Sequence, residues 1–175
     1  MIPITITEFF DELESLTLNK FRNTTPQQKL RYLNRALLNL HVDLKSMLRG
    51  SYDKASALSL SNGVASLPSD MNKDDTTDYA LFQDENRTMR IPTADVRWEG
   101  DALRFPLASN DSIYIEYTRE PNRYTDIGAT LEESASVRAL EMLQSEVEYI
   151  RDVDIRQGQI SGQAQAARIR TKEIS

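Results

Sequence analysis

The chain has 175 residues, 39% of them apolar and 27% charged, with a formal net charge of −6 and a pI near 4.9. That is enough for one domain with appendages, and the acidity opposes non-specific binding to nucleic acid or to an anionic membrane. With no cysteine, a disulfide scaffold, a cysteine-ligated metal and thiol catalysis are excluded.

The opening, MIPITITEFFDELESL, lacks the basic start and unbroken apolar run of a signal peptide, and no stretch approaches a membrane span. The expectation is a soluble protein. A helix is predicted over about 7–20. Thr5 and Glu8 have capping-box spacing, Thr7 is an alternative N-cap, and Phe9, Phe10, Leu13 and Leu16 form an apolar stripe onto which Phe21 packs.

A second start signature follows, with Thr25 as N-cap, Pro26 at the first helical position and Gln28 at the third. Leu30, Leu33, Leu37, Leu40, Leu44 and Leu48 then recur at three- and four-residue steps. This predicts one long helix that Arg49 and Gly50 close. Residues 51–72, rich in Ser, Ala and Gly, read as a linker with short extended pieces.

Residues 78–118 read as three or four antiparallel strands. Val96 and Trp98 precede a hairpin turn at Glu99–Asp101, and Leu103, Phe105 and Leu107 follow it. Ile113, Ile115 and Tyr117 alternate with Tyr114 and Glu116. Pro92 and Pro106 keep their ends out of a sheet centre.

Thr130 and Glu133 have capping-box spacing for a third helix, with Glu132 adding a favourable first-turn charge. Its face is Ser136, Leu140, Leu143, Val147 and Ile150, bordered by Leu131, Ala139 and Met142, and it is expected to run to Arg151 or Ile155. Gly158 and Gly162 interrupt the pattern. The remainder, QAQAARIRTKEIS, is expected to be disordered or ordered by a partner.

The predicted fold class is therefore α+β and mainly helical: a helical bundle core with an inserted antiparallel sheet and an extended C-terminal tail. One domain spans 1–155 with the β-rich insertion at about 76–119, and the tail covers 156–175. The insertion offers few candidate core residues for its length.

No catalytic pattern stands out, and the chain reads as a non-enzyme without cofactor or metal. His41, the single histidine, lies on the leucine helix two residues from Asp43, off its face. Asp74 with Asp75, and Asp152 with Asp154, lack calcium-loop spacing and a histidine partner, and read as solvated surface. The glycines form no phosphate loop, and there is no G-x-S-x-G elbow.

Trp98, Tyr114 and Tyr117, with Arg97 and Arg104, are candidate contacts. They suit a protein interface or sheet packing first, and stacking on single-stranded nucleic acid second. Arg168, Arg170 and Lys172 could pair with an acidic groove on a partner.

The order of parts resembles the small neck proteins of tailed bacteriophages, the head–tail connectors or adaptors. The likeness rests on the early helix LNRALLNLHVDLKSML, the Leu-Pro-Ser-Asp turn at 67–70, VRWEGDALRFP, SIYIEYTREP and the final helix from TLEESASVRALEML, and covers about residues 25–155. It implies a ring of identical subunits, usually a dodecamer, that docks on the portal protein and presents a platform for a tail or further neck protein. DNA would pass through the channel without specific binding. It implies residence in the virion neck, assembly in the host cytoplasm, no membrane and no catalytic residue. Two alternatives are another virion part, such as a tail-completion protein, and a small nucleic-acid-binding accessory protein.

Overall fold

A computed structural model describes residues 2–73, 79–106 and 112–174, the last four by their backbone alone. In chain order the elements are α1 (Ile6–Leu16), α2 (Pro26–Asn39), α3 (His41–Met47), α4 (Arg49–Tyr52), β1 (Asp53–Ser59), β2 (Val64–Ser66) and β3 (Tyr79–Phe82). They continue with β4 (Arg90–Ile91), β5 (Arg97–Glu99), β6 (Ala102–Arg104), β7 (Ser112–Thr118) and α5 (Val137–Ile174). The protein is mixed α+β and divides into two compact units, residues 1–47 with 122–175, and residues 48–121.

The helical unit starts as the sequence dictates. Thr5 accepts from the Glu8 amide while the Glu8 carboxylate accepts from the Thr5 amide, and Thr25 with Gln28 repeats the arrangement. Ile6, Phe9, Phe10 and Leu13 of α1, Tyr32, Leu33, Ala36 and Leu37 of α2, and Ala139, Leu143, Val147 and Ile150 of α5 are all buried. Phe21 is fully buried edge-on to Phe10. Leu16, placed on the α1 stripe by spacing, is instead 65% exposed, because it lies in the last turn beyond the packed face.

The long leucine helix is segmented. The backbone departs from helical angles at Leu40 and again at Leu48, giving three shorter helices, although the Leu44 amide still bonds the Leu40 carbonyl. Asn39, His41, Val42 and Asp43, all weak helix formers, cluster at the first break.

The capping box expected at Thr130 and Glu133 does not form. Thr130 pairs with Thr5 in an antiparallel bridge, Glu132–Ala135 is a 3₁₀ turn, and α5 begins after Ser136, whose hydroxyl accepts from the Ala139 amide at 3.3 Å. Glu133 turns inward, accepting from Asn122 Nδ2 and Tyr124 Oη, each at 2.8 Å. The Ile4 carbonyl receives the Leu131 amide at 2.8 Å, which ties the start of the chain to the entry of α5.

α5 also corrects the expected end near Arg151 or Ile155. It continues through both glycines to Ile174, 38 residues in all or about 57 Å. Each interior glycine costs about 1 kcal/mol relative to alanine. Here each is surrounded by Gln, Ala and Arg, which favour helix, so the penalty does not break the run.

The β unit begins at Leu48, earlier than the expected 76, because the Ser- and Ala-rich stretch read as a linker forms β1 and β2. β1 pairs with β7 over its whole length, Asp53 opposite Thr118 through Ser59 opposite Ser112. Two antiparallel sheets result, in the orders β1-β7-β3-β4 and β2-β6-β5. The predicted hairpin is present, with Trp98 opposite Leu103, Glu99 opposite Ala102, and Gly100 at positive φ in the turn. The expectation of few core residues fails: Leu58, Ala65, Met71, Leu81, Leu103, Ile113 and Ile115, among others, form one buried cluster. Leu107 lies outside the described residues.

Arg119 anchors the ends of this unit. It is buried, its guanidinium centre is 4.4 Å from the Tyr52 ring centroid, and Nε donates to the Ser51 carbonyl at 2.7 Å. Its own amide donates to the Tyr52 carbonyl at 3.0 Å. Arg119→Ala removes these interactions and the Nη1 bond to the Glu120 carbonyl, and is expected to destabilise the β unit by about 2–3 kcal/mol. Urea unfolding followed by emission of Trp98, the single tryptophan, checks it.

A Cβ built at Gly158 or Gly162 meets no neighbour within 4 Å. Gly158→Ala and Gly162→Ala are each expected to stabilise the second half of α5 by about 1 kcal/mol. Slower amide hydrogen exchange over 155–170 is the readout, with exchange in α2 unchanged.

Candidate interaction surfaces

The residues singled out from sequence fall in both units, and those of the β unit differ in burial and partners. Tyr117 belongs to the β-unit core, only 8% exposed, and its hydroxyl donates to Asp70 Oδ1 at 2.8 Å. It is therefore no platform for a base or a partner side chain. Alternation along β7 places Ile113, Ile115 and Tyr117 inward and leaves Tyr114 and Glu116 half-buried on the other face. Ala57 and Phe82 flank Tyr114 there, and Ala55 and Ala80 flank Glu116.

Trp98 is exposed on β5, edge-on to Tyr79, with its indole N–H donating to the Tyr79 hydroxyl at 3.2 Å. Arg97 and Arg104 are direct cross-strand neighbours on that hairpin. The Glu99 carboxylate takes Arg104 in a fork, Nε at 2.5 Å and Nη2 at 3.0 Å. Arg104 holds the Glu99 carboxyl below the usual carboxylate range. One of the two arginines is thus neutralised within the hairpin.

A groove of about 460 Å³ lies on the four-stranded sheet, lined by residues including Asp53, Lys54, Tyr79, Arg87 and Glu116. Arg87 and Glu116 are ion-paired in its lining. The sequence reading missed this groove, since its lining comes from four segments brought together by strand pairing alone. It holds both signs of charge. The Leu-Pro-Ser-Asp turn lies at the end of β7, where the Asp70 carbonyl accepts the Glu120 amide at 2.7 Å.

In the helical unit, the acidic pairs have assigned partners. Asp152 and Glu148 share Lys20 Nζ at 3.3 and 2.5 Å, and Asp154 accepts from Tyr32 Oη at 2.7 Å and from Arg31. Asp74 and Asp75 lie outside the described residues. His41 opens α3, half-buried. Burial and the Glu133 carboxylate push the Tyr124 phenol well above its ordinary value. Tyr124 is a fixed donor to Glu133, and Asn34 brackets its backbone with two bonds of 2.8 Å.

Arg168 and Arg170 sit on α5 beyond the packed half, and both are exposed. Lys172 is in the same helix, its side chain outside the described residues. Every described side chain from Ile155 to Arg170 is exposed, including Ile155, Ile160 and Ile169. Leu16 and Leu18 on the α1 side are exposed as well, and composition gave no signal for them. Among the described residues no cluster of His, Asp and Glu could hold a metal ion, and no helix is long and apolar enough to cross a membrane.

A scan against protein-family models finds no match, and a search of curated proteins finds none either.

Burial first, and then the bond to Asp70, push the Tyr117 phenol up to about 12 from its ordinary 10.0. The folded state therefore holds this proton more tightly than the unfolded chain. Its stabilisation is complete below the unfolded pKa of 10.0 and is lost as pH rises through about 12. Alkaline titration read by Trp98 emission should show the β unit weakening across that window. Tyr117→Phe should flatten this part of the profile and cost about 1 kcal/mol at neutral pH.

Proposed function

We propose that this protein is a structural, non-catalytic component of a virus particle: a head–tail connector of a tailed bacteriophage, working as a ring of identical subunits. The observation that carries the reading is the second half of α5. It is continuous helix with no described side chain buried from Ile155 to Arg170. Isolated helical segments of this length are marginal in water, and their stability in proteins comes from packing an apolar face. Ile155, Ile160 and Ile169 supply apolar surface that another subunit or protein would cover.

The sequence resemblance supports the same reading. It joins an early leucine-rich helix, an inserted β unit and a final helix in the order seen in neck proteins. The ring would dock on a portal and offer a platform to a tail or further neck protein, in the neck of the virion.

The nucleic-acid alternative draws less support. Tyr117 is buried, Trp98 is engaged with Tyr79, and Arg104 and Arg87 are each paired with a glutamate. Those groups are already engaged within the chain, which leaves, of the β-unit candidates, Arg97 and Tyr114 for phosphates or bases.

Light-scattering mass after gel filtration, on the protein alone and then with portal from its own source, tests the proposal. Stoichiometric capture by the portal, or a ring-sized mass without it, is the expected result. A monomer that binds neither portal nor particles would sink it. Sub-micromolar DNA binding with a steep salt dependence would then favour the nucleic-acid alternative.

A further inference from the structure

Two exposed patches of the helical unit are complementary to each other. Residues 1–19 contain Glu8, Asp11, Glu12 and Glu14 and no Lys or Arg. Residues 156–175 reverse this, with Arg156, Arg168, Arg170 and Lys172 against Glu173 alone. On α1, Glu8, Glu12 and Leu16 follow one another at four-residue steps and share one exposed ridge. On α5, Ile160, Ala164 and Arg168 do the same.

The two ridges match when the helices run antiparallel. Leu16 and Glu8 are eight positions apart, as are Ile160 and Arg168, about 12 Å along each axis. In that register Leu16 meets Ile160, Glu12 lies opposite Ala164 and Glu8 faces Arg168. Leu16 and Ile160 are 65% and 66% exposed, so both have surface to lose. Opposed helix dipoles add to the attraction.

A chain cannot make this contact with itself. α1 runs parallel to the first half of α5, as the contacts Ile4–Ser134, Glu12–Gln144 and Lys20–Asp152 show in order. Arg168 then stands about 24 Å further along the helix than Asp152. The parallel direction is also the reverse of what the ridges need. Pairing between two copies of the α5 extension would set like charges together, which electrostatics opposes.

We infer that residues 155–174 form an arm that docks antiparallel on α1 of a second copy of this chain. The contact is heterologous, with different patches on the two partners, so repetition closes a ring or extends a filament. The inference rests on the ring of identical subunits proposed above and specifies what joins its members.

Because the chain contains no cysteine, disulfide trapping reports the register directly. Leu16→Cys with Ile160→Cys in one chain should give a covalent ladder on oxidation, in the protein alone or with portal present. Each single variant should give at most a dimer through like cysteines. Leu16→Cys with Ile169→Cys, which places the second thiol on another face of α5, should give no ladder.

Arg168→Glu should weaken self-association about tenfold in sedimentation, and combining it with Glu8→Lys, the position that faces it in this register, should restore it. A chain ending after Asp154 should keep its melting profile and lose self-association. Multimers that form without the Leu16–Ile160 cross-link and survive that truncation would overturn the arm while leaving the ring intact. Absence of the ladder both alone and with portal would overturn it too. Portal capture by such a chain would still leave the neck reading standing. Loss of DNA retention in Arg168→Glu, with mass unchanged, would assign the arm to nucleic acid and also overturn it.

Discussion

The helical unit depends on one requirement, that Ala139, Leu143, Val147 and Ile150 of α5 leave water together. α2 packs along that stripe, and its buried Tyr32, Leu33, Ala36 and Leu37 supply the opposing surface. The polar contacts then fix the register at the margins. Tyr32 reaches Asp154, Asn39 reaches Glu146, and Lys20 reaches Glu148 and Asp152. These bonds are partly exposed and individually weak. Their value is positional, since they set how far along α5 the packed stripe extends before the helix leaves its neighbours.

The entry to α5 shows the same economy. Glu133 is buried, and a buried carboxylate is costly unless its oxygens find donors. Asn122 and Tyr124 provide them, and Asn34 of α2 fixes Tyr124 in turn. A residue suited by spacing to a helix cap thus became the centre of a network that holds the return strand of chain against the helices. In the β unit, Arg119 has the corresponding role, stacked on Tyr52 and bonded to the Ser51 carbonyl at the point where the segment begins and ends.

The surfaces follow from these two cores. Inward-facing alternation on β7 commits Tyr117 to the interior and turns Tyr114 and Glu116 outward, so neighbouring residues of similar chemistry have different uses. On the helices the boundary is set by length. Leu16 continues the α1 stripe past its packed face and Ile160 lies on α5 beyond its packed half, and an apolar residue left in that position is surface available to another molecule.

Sequence alone determined what local physics controls. The caps at Thr5 and Thr25, the Gly100 hairpin and the alternation of Ile113, Ile115 and Tyr117 each require only a few adjacent residues to agree. β1 was not legible, because its single large apolar residue, Leu58, gives little periodicity, and its strand character comes from pairing with β7 more than fifty residues later. The inward turn of Glu133 was likewise decided by the tertiary structure, where Asn122 and Tyr124 redirect a residue whose spacing suits a cap. The break at Leu40 and the extension of α5 through two glycines follow instead from local helix preference, which apolar spacing alone does not reveal. The candidate surfaces divided in the same way. Residue type marked the arginines and aromatics, but only packing could determine which are already spent inside the chain and which remain exposed, because burial is a property of what surrounds a residue.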